Sequence, residues 1–422
     1  MAGAFGWQTR TVDRARAQPY RRGMKIAAFV LALCLPVSAG DWPSYRGPHL
    51  DGSTEEKLSA FPKEGARELW RVQVGTGVSS ITVAAGRVFT AGYREGKEVL
   101  SCLDAEKGTP LWTHGWPAKI GNYLFDGGPR STPTVDGDYV YMVGADGQVA
   151  CVEASSGKPV WEKNLVADFG GKRMDWGYAG SATIDGDHLL LDNGGPGAST
   201  IALDKKTGAL VWKAGDDEAG YSTVFVAAVD GKKTALSFKS GALVGHDAAT
   251  GAVLWRHEWE TAWKINAMTP LLIGDLIVVS SAYNHGAAAL RVKAGKVEQV
   301  WFSKKLQSQF NSPVVRDGNI YAIDGEVGKR SALVCLDGAT GDEKWRAKEV
   351  KNGSLILAGD QLLVLTEEGE LIVAVASPKG YEEKSRQKVL KGRCWVQPVL
   401  AGGKIFCRNN DGELVALDAA GK

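Results

Sequence analysis

Apolar and polar residues alternate in short bursts along this sequence. In STPTVDGDYVYMVG, residues 131–144, two alternating runs meet at an Asp-Gly pair, which predicts two strands joined by a tight turn. GQVACVEA, residues 147–154, reads as a third strand, and KPVWEKNL, residues 158–165, as a fourth after a Ser-Gly turn. No apolar stripe with a 3.6-residue period is sustained, so the pattern argues against helices. The same four-strand unit returns along the chain. Tryptophans at 112, 161, 212, 255, 301 and 345 close successive units at spacings of 49, 51, 43, 46 and 44 residues. Four short antiparallel strands per 40–50 residues is the signature of a propeller blade.

Six blades end at those tryptophans. A seventh spans about 353–390 and lacks the Trp. An eighth starts at Cys394 and stops after three strands. The stretch ARELWRVQV carries a further tryptophan, Trp70, and supplies the missing strand. The expected fold is therefore all-β: an eight-bladed propeller of four-stranded antiparallel blades, with the N-terminal strand completing the last blade. Closure removes the free sheet edge that invites aggregation. The division predicted is a leader over 1–39, an extended arm over 40–66 and one propeller over 67–422. The arm begins DWPSYRGPHLDG, rich in Pro and Gly, and its Trp42 and Tyr45 are expected to dock on the propeller face.

One motif recurs: CLDAEKGTPLW, CVEASSGKPVW, ALDKKTGALVW, GHDAATGAVLW and CLDGATGDEKW, ending at Trp112, Trp161, Trp212, Trp255 and Trp345. The glycine permits a tight turn between third and fourth strands. The acid can bond turn backbone. The tryptophan is large, flat and carries one N–H. Trp70, Trp112, Trp161, Trp212, Trp255, Trp301 and Trp345 are thus expected to dock blade on blade, as scaffold.

This A-x-D-x-x-T-G-x-x-x-W pattern resembles the tryptophan-docking repeat of the pyrroloquinoline-quinone (PQQ) propeller superfamily. That superfamily holds both quinoprotein alcohol dehydrogenases and the non-catalytic outer-membrane assembly lipoprotein BamB. The resemblance covers nearly all of residues 41–422. DWPSYRGPHLDG is also similar to the opening of PQQ-like repeat proteins of planctomycete and verrucomicrobial genomes. For the dehydrogenases, the resemblance implies an adjacent-cysteine disulfide, a Trp floor, calcium ligands of Glu/Asn/Asp type and an Asp base. The sequence has no Cys-Cys pair, no long insertions to build a cap, and no acidic cluster at the inner-strand starts. No catalytic residue and no metal ligand is assigned, and no cofactor is expected; PQQ with calcium remains the alternative.

Charge and cysteines refine the picture. MKIAAFVLALCLPVSAG, residues 24–40, has a basic start, an apolar run over 26–35 and a Val-Ser-Ala end, which reads as an export signal cut after Ala39. Met24 is a plausible start. The twin-arginine match at Arg21-Arg22 and the lipoprotein match at Cys34 are poor. The expected location is periplasmic or cell-envelope. Removing the leader takes six basic and one acidic residue from 50 and 48, leaving a net charge of −3. Near neutrality gives no ground for a nucleic-acid partner. No mature run is long enough to span a bilayer, and the closed ring is read as a monomer. Cys102, Cys151 and Cys335 share a repeat position with Ala202 and Gly245, so they are expected to be packing residues. Cys394 and Cys407 flank the turn AGGK, leaving a cross-hairpin disulfide or two free thiols open. No C-x-x-C occurs, which excludes c-type haem attachment. The six histidines have no ligand spacing.

What remains is the channel mouth, where loops enter the inner strands. Those entries offer Arg130, Trp176, Tyr178, Tyr221, Asn266 and Asn311, with Asp126, Lys264, Tyr283 and Asn284 nearby. An aromatic, amide-rich funnel with one arginine suits a polar or anionic ligand, a carbohydrate or a peptide; the alternative is structural lining. The expected function is a scaffold binding a protein or polymer partner. The alternatives are a PQQ-dependent oxidoreductase and a small-ligand sensor using the funnel.

Overall fold

The computed structural model describes residues 40–120 and 127–420. The export signal, Cys34 and Asp126 lie outside the described residues.

Eight antiparallel sheets form the eight blades of a propeller. The first blade runs Thr82–Ala84, Arg87–Arg94, Lys97–Asp104 and Pro110–Pro117, from the axis outwards. Inner strands are short: five further blades also begin with only three residues, Thr134–Asp136, Thr183–Asp185, Leu271–Ile273, Val314–Arg316 and Val399–Ala401. The fourth and seventh begin with Phe225–Val229 and Gly353–Ala358. The eighth is closed as the sequence suggests. Glu68–Gln73 pairs antiparallel with Glu413–Asp418, placing Trp70 opposite Ala416.

The recurring motif is the glue between blades. The indole N–H groups of Trp70, Trp112, Trp161, Trp212, Trp301 and Trp345 each donate to a backbone carbonyl of the next blade, at 2.8–3.2 Å. Trp255 packs in the cluster shared by the fourth and fifth blades. The turn glycine serves twice. Gly157 has φ +71, and a Cβ there would lie 2.4 Å from the Trp112 ring of the preceding blade. The turn aspartates Asp104, Asp204, Asp247 and Asp337 each accept two turn N–H groups on Oδ1. The small slot is explained by register: Cys102, Cys151, Ala202, Gly245 and Cys335 stand directly across from their own blade's tryptophan. All five described cysteines are buried and free, so Cys394 and Cys407 do not pair.

The arm does more than rest on a face. It enters the axial channel as a hairpin. Trp42 is fully buried and exchanges two backbone bonds with Val83 of the first blade, at 2.7 and 2.9 Å. Val135 of the second blade donates to the Pro43 carbonyl at 2.8 Å. Arg46 reaches the sixth blade, donating to the carbonyls of Ser312 and Pro313. The arm then returns along the seventh blade, where Ser53–Thr54 pairs parallel with Leu357 and Ala358.

Candidate functional site

The arm and the inner-strand entries together make one recess. Each blade reaches its inner strand through a loop at the same end of the axis, and all eight loops contribute to a cavity of about 190 Å³. The first blade provides Val78 and Ser80, the second Arg130, and the third Trp176, Ala179 and Ser181. Tyr221 and Thr223 follow from the fourth, Ile265, Ala267 and Tyr283 from the fifth. The sixth gives Gln309, Phe310, Ser312 and Val327, the seventh Ser354 and Leu355, and the eighth Trp395, Val396 and Gln397. Tyr45 at the tip of the arm closes the floor, its carbonyl held by the Gln397 side-chain amide.

Of the residues singled out from sequence, Arg130, Trp176 and Tyr221 are brought together here. The Arg130 Nε donates to the Trp176 carbonyl at 3.0 Å, and its guanidinium lies 6.0 Å from the Trp176 ring centre. The Tyr221 hydroxyl accepts from the Trp176 backbone N–H at 3.4 Å, and burial pushes its pKa up to about 12. It therefore stays a neutral phenol at any working pH. Tyr178, Asn266 and Asn311 lie behind the wall. Tyr178 donates to the Asn193 carbonyl at 3.0 Å within a core cluster. Asn266 is fully buried, its amide donating to the carbonyls of Lys239, Ser240 and Trp259 and its oxygen accepting from Ser281. Asn311 bonds to Asn352 and Ser354.

The lining also includes Tyr45, read from sequence only as a docking aromatic of the arm, and Gln309, Phe310, Trp395 and Gln397, which were not singled out. Phe310 and Trp395 contact with ring centres 5.3 Å apart, and Arg393 backs Trp395 at 4.9 Å. Trp395 donates its indole N–H to Glu367 at 3.0 Å, which fixes the ring. Tyr283 is held by Gln309, whose amide donates to its hydroxyl at 2.9 Å. Left-handed backbone also gathers at this end. Lys264 has φ +55 in a loop, and Tyr283 and Asn284, both at +61, form the tip of the hairpin between Leu276–Ser281 and Gly286–Lys293. Ala85, Glu95, Asp230, Ala294 and Asp317 adopt such angles in ordinary turns before a glycine. Strain of this kind persists only where the surroundings over-determine it.

The donor set can be tested against the superfamily's cofactor. Calcium takes six to eight oxygen ligands, including carboxylates. The described lining residues contain no Asp, Glu, His or Cys, and no group of three such residues that could hold a metal ion occurs among the described residues. Hydroxyls, two primary amides, aromatic rings and one guanidinium do not fit a calcium–quinone pair.

Eight four-stranded blades, seven of them carrying a docking tryptophan, around one aromatic recess define a closed eight-bladed propeller. A family model described as outer membrane protein assembly factor BamB matches residues 3–121, 95–347 and 329–422, and the chain belongs to that family. No curated protein matches the sequence. Among solved structures, BamB from Moraxella catarrhalis aligns with a TM-score of 0.60 and 15% identity, covering 84% of this chain and 99% of that one. The quinohemoprotein alcohol dehydrogenase from Comamonas testosteroni aligns at 0.54 and 13% identity, covering 91% and 81%. The computationally designed Ika8 protein aligns at 0.58 and 12% identity, covering 83% and 99%. At such identities these likenesses speak for the fold alone.

Proposed function

We propose that this protein is a non-catalytic recognition propeller of the cell envelope that holds a segment of a partner polypeptide in its axial funnel. The observation that carries the reading is the funnel itself: one closed-bottomed recess, built by all eight blades and the arm, walled by aromatic rings and amides. Rings such as Trp395 and Tyr221 offer large contact area at small entropy cost, and Gln309 and Gln397 can meet a peptide backbone. The described lining has no His, Cys or carboxylate to exchange a proton at neutral pH. The envelope location follows from the leader pattern at 24–39.

The test is selection of a displayed library of random twelve-residue peptides on the chain from residue 40, followed by titration of the recovered peptides against Tyr221→Ala and Trp395→Ala. Recovered peptides should lose at least tenfold in affinity on either variant. Peptides that bind both variants as well as the parent chain would remove the funnel from the account.

A further inference from the structure

Two buried guanidinium groups stand just behind the funnel wall: no acidic group acts on Arg408, and Arg46 has Asp51 nearby without a direct ion pair among the described residues. Arg408, on the second strand of the eighth blade, is fully buried. Its donors go to neutral acceptors across the seam: the Ser79 carbonyl at 2.9 Å, Thr90 Oγ1 at 2.6 Å, the Ala91 carbonyl at 2.6 Å and the Gly75 carbonyl at 2.9 Å. Burial pulls its pKa down to about 9, with no acidic group offsetting it. Arg46, at the arm tip, is buried in the same way. Its Nη groups donate to the carbonyls of Ser312, Pro313 and Asp51. The Nε atoms of both arginines are buried without a partner.

Both charges touch the wall. Arg46 is bonded to Ser312, which lines the cavity, and Arg408 to Ser79, whose neighbour Ser80 lines it. The Ser80 hydroxyl is itself buried without a partner, in a residue only 2% exposed. The described lining holds no carboxylate. Of the acidic groups around the mouth, Glu218 is engaged by Lys172 and Lys264, Glu326 by Lys329 and Glu367 by Arg393, while Asp175 lies close enough to act on Tyr221. A low-dielectric recess backed by buried cations focuses a positive potential, and a buried charge without an ion-pair partner, as at Arg408, gains most from an incoming opposite one. The hydroxyl and amide donors suit a guest rich in acceptors.

We infer that the segment taken into the funnel is anionic, presenting a carboxylate beside an aromatic side chain. The carboxylate enters the field of Arg46 and Arg408, and the ring packs on Phe310, Trp395 and Tyr221. This inference rests on the funnel being the recognition site.

The peptide selection described above also decides it, read by composition. Recovered peptides should be enriched in Asp or Glu within two positions of an aromatic residue. Converting those acids to Asn or Gln should weaken binding at least tenfold, and converting them to Lys should abolish it. The acidic peptide's advantage over its amide form should shrink several-fold between 25 and 300 mM salt on the unmodified chain. Arg46→Gln should lower that advantage at least fivefold while Arg46→Lys, which keeps the charge, preserves most of it. Peptides that depend on Tyr221 but carry no acids, or that bind equally as amides, overturn the charge inference and leave the recognition reading standing. Recovery of no funnel-dependent peptide removes both.

Discussion

The outer seams and the axis of this propeller are held together by opposite means. At the seams, one solution is repeated: an indole N–H meets a carbonyl of the next blade, and a glycine turn lies flat beneath the ring. At the axis small hydroxyls take over: the N–H groups of Ser80, Thr132, Ser181 and Thr269 donate to the hydroxyls of Thr132, Ser181, Thr223 and Ser312 in the next blade. The arm threads through, and Trp42 Nε1, Arg46 Nε, Ser80 Oγ, Thr82 Oγ1 and Thr269 Oγ1 are buried there without partners. A buried donor or acceptor left unpaired costs about 1–3 kcal/mol. The seams carry such atoms too, on Tyr141, Gln148 and Tyr321, so the contrast lies in the docking group: an indole outside, small hydroxyls at the axis. That contrast separates the part of the molecule selected for standing up from the part free to be specialised.

The comparison breaks most visibly at a seam. Trp212 is buried, donates to the Ala248 carbonyl at 3.2 Å and lies over Gly251. Trp212→Ala should cost about 3–5 kcal/mol, as for other large buried aromatics, seen as a lower midpoint in chemical denaturation. Peptide binding at 10 °C, where the variant stays folded, should be unchanged. A loss below about 1 kcal/mol would mean the seams are not held by docking.

A second seam feature is titratable. Glu98 is 2% exposed at the junction of the first and second blades, accepting from Trp116 Nε1 at 3.1 Å and from the Ala145 N–H. Burial raises its pKa to about 7. The folded state therefore keeps a proton that the unfolded chain releases near pH 4.5, so stability is greatest below that value. It should fall by on the order of 3 kcal/mol as pH rises to 7 and above. The neighbouring Gln148 Oε1 is buried without a partner. Glu98→Gln should abolish this slope and raise the melting temperature at pH 8. An unchanged difference between pH 5 and pH 8 would show that Glu98 is ionised in the fold.

The axis should respond least in stability. Tyr45 is only partly buried, and its carbonyl is what the Gln397 amide holds. Tyr45→Ala should change unfolding free energy by less than about 1 kcal/mol, yet open the funnel floor and weaken recovered peptides severalfold. Equal binding would place the recognition surface above the floor.

Sequence reasoning read the seams far better than the axis, for a physical reason. Seam residues recur, so one error in one blade is corrected by the other repeats: Trp70 was placeable in the last blade because it matched six others. Beyond the Ser and Thr hydroxyls that link neighbouring entries, the funnel lining differs from blade to blade, and a strand entry read one residue out of step presents the opposite face. Ser181, Thr223, Ala267 and Ser312 share the parity that faces the axis. Tyr178 and Asn266 fall on the other parity, as does Asn311, and each turns into the wall. The small hydroxyl residues before the inner strands were the available signal. Tyr45 was legible as a docking aromatic of the arm but not as part of the cavity, because that place depends on a contact with Gln397 more than three hundred positions away.

That same distance between partners has a consequence for how the molecule is made. The last blade exists only when Glu68–Gln73 meets Glu413–Asp418. A strand translated early must wait, unpaired, for one translated near the end. Joining them costs about 5 kcal/mol of loop-closure entropy if nothing between has formed, and much less once seven blades have stacked and brought the ends together. Completion of the ring is thus a late, cooperative event. Until then the waiting strand is an unpaired edge, the kind that invites pairing with another chain.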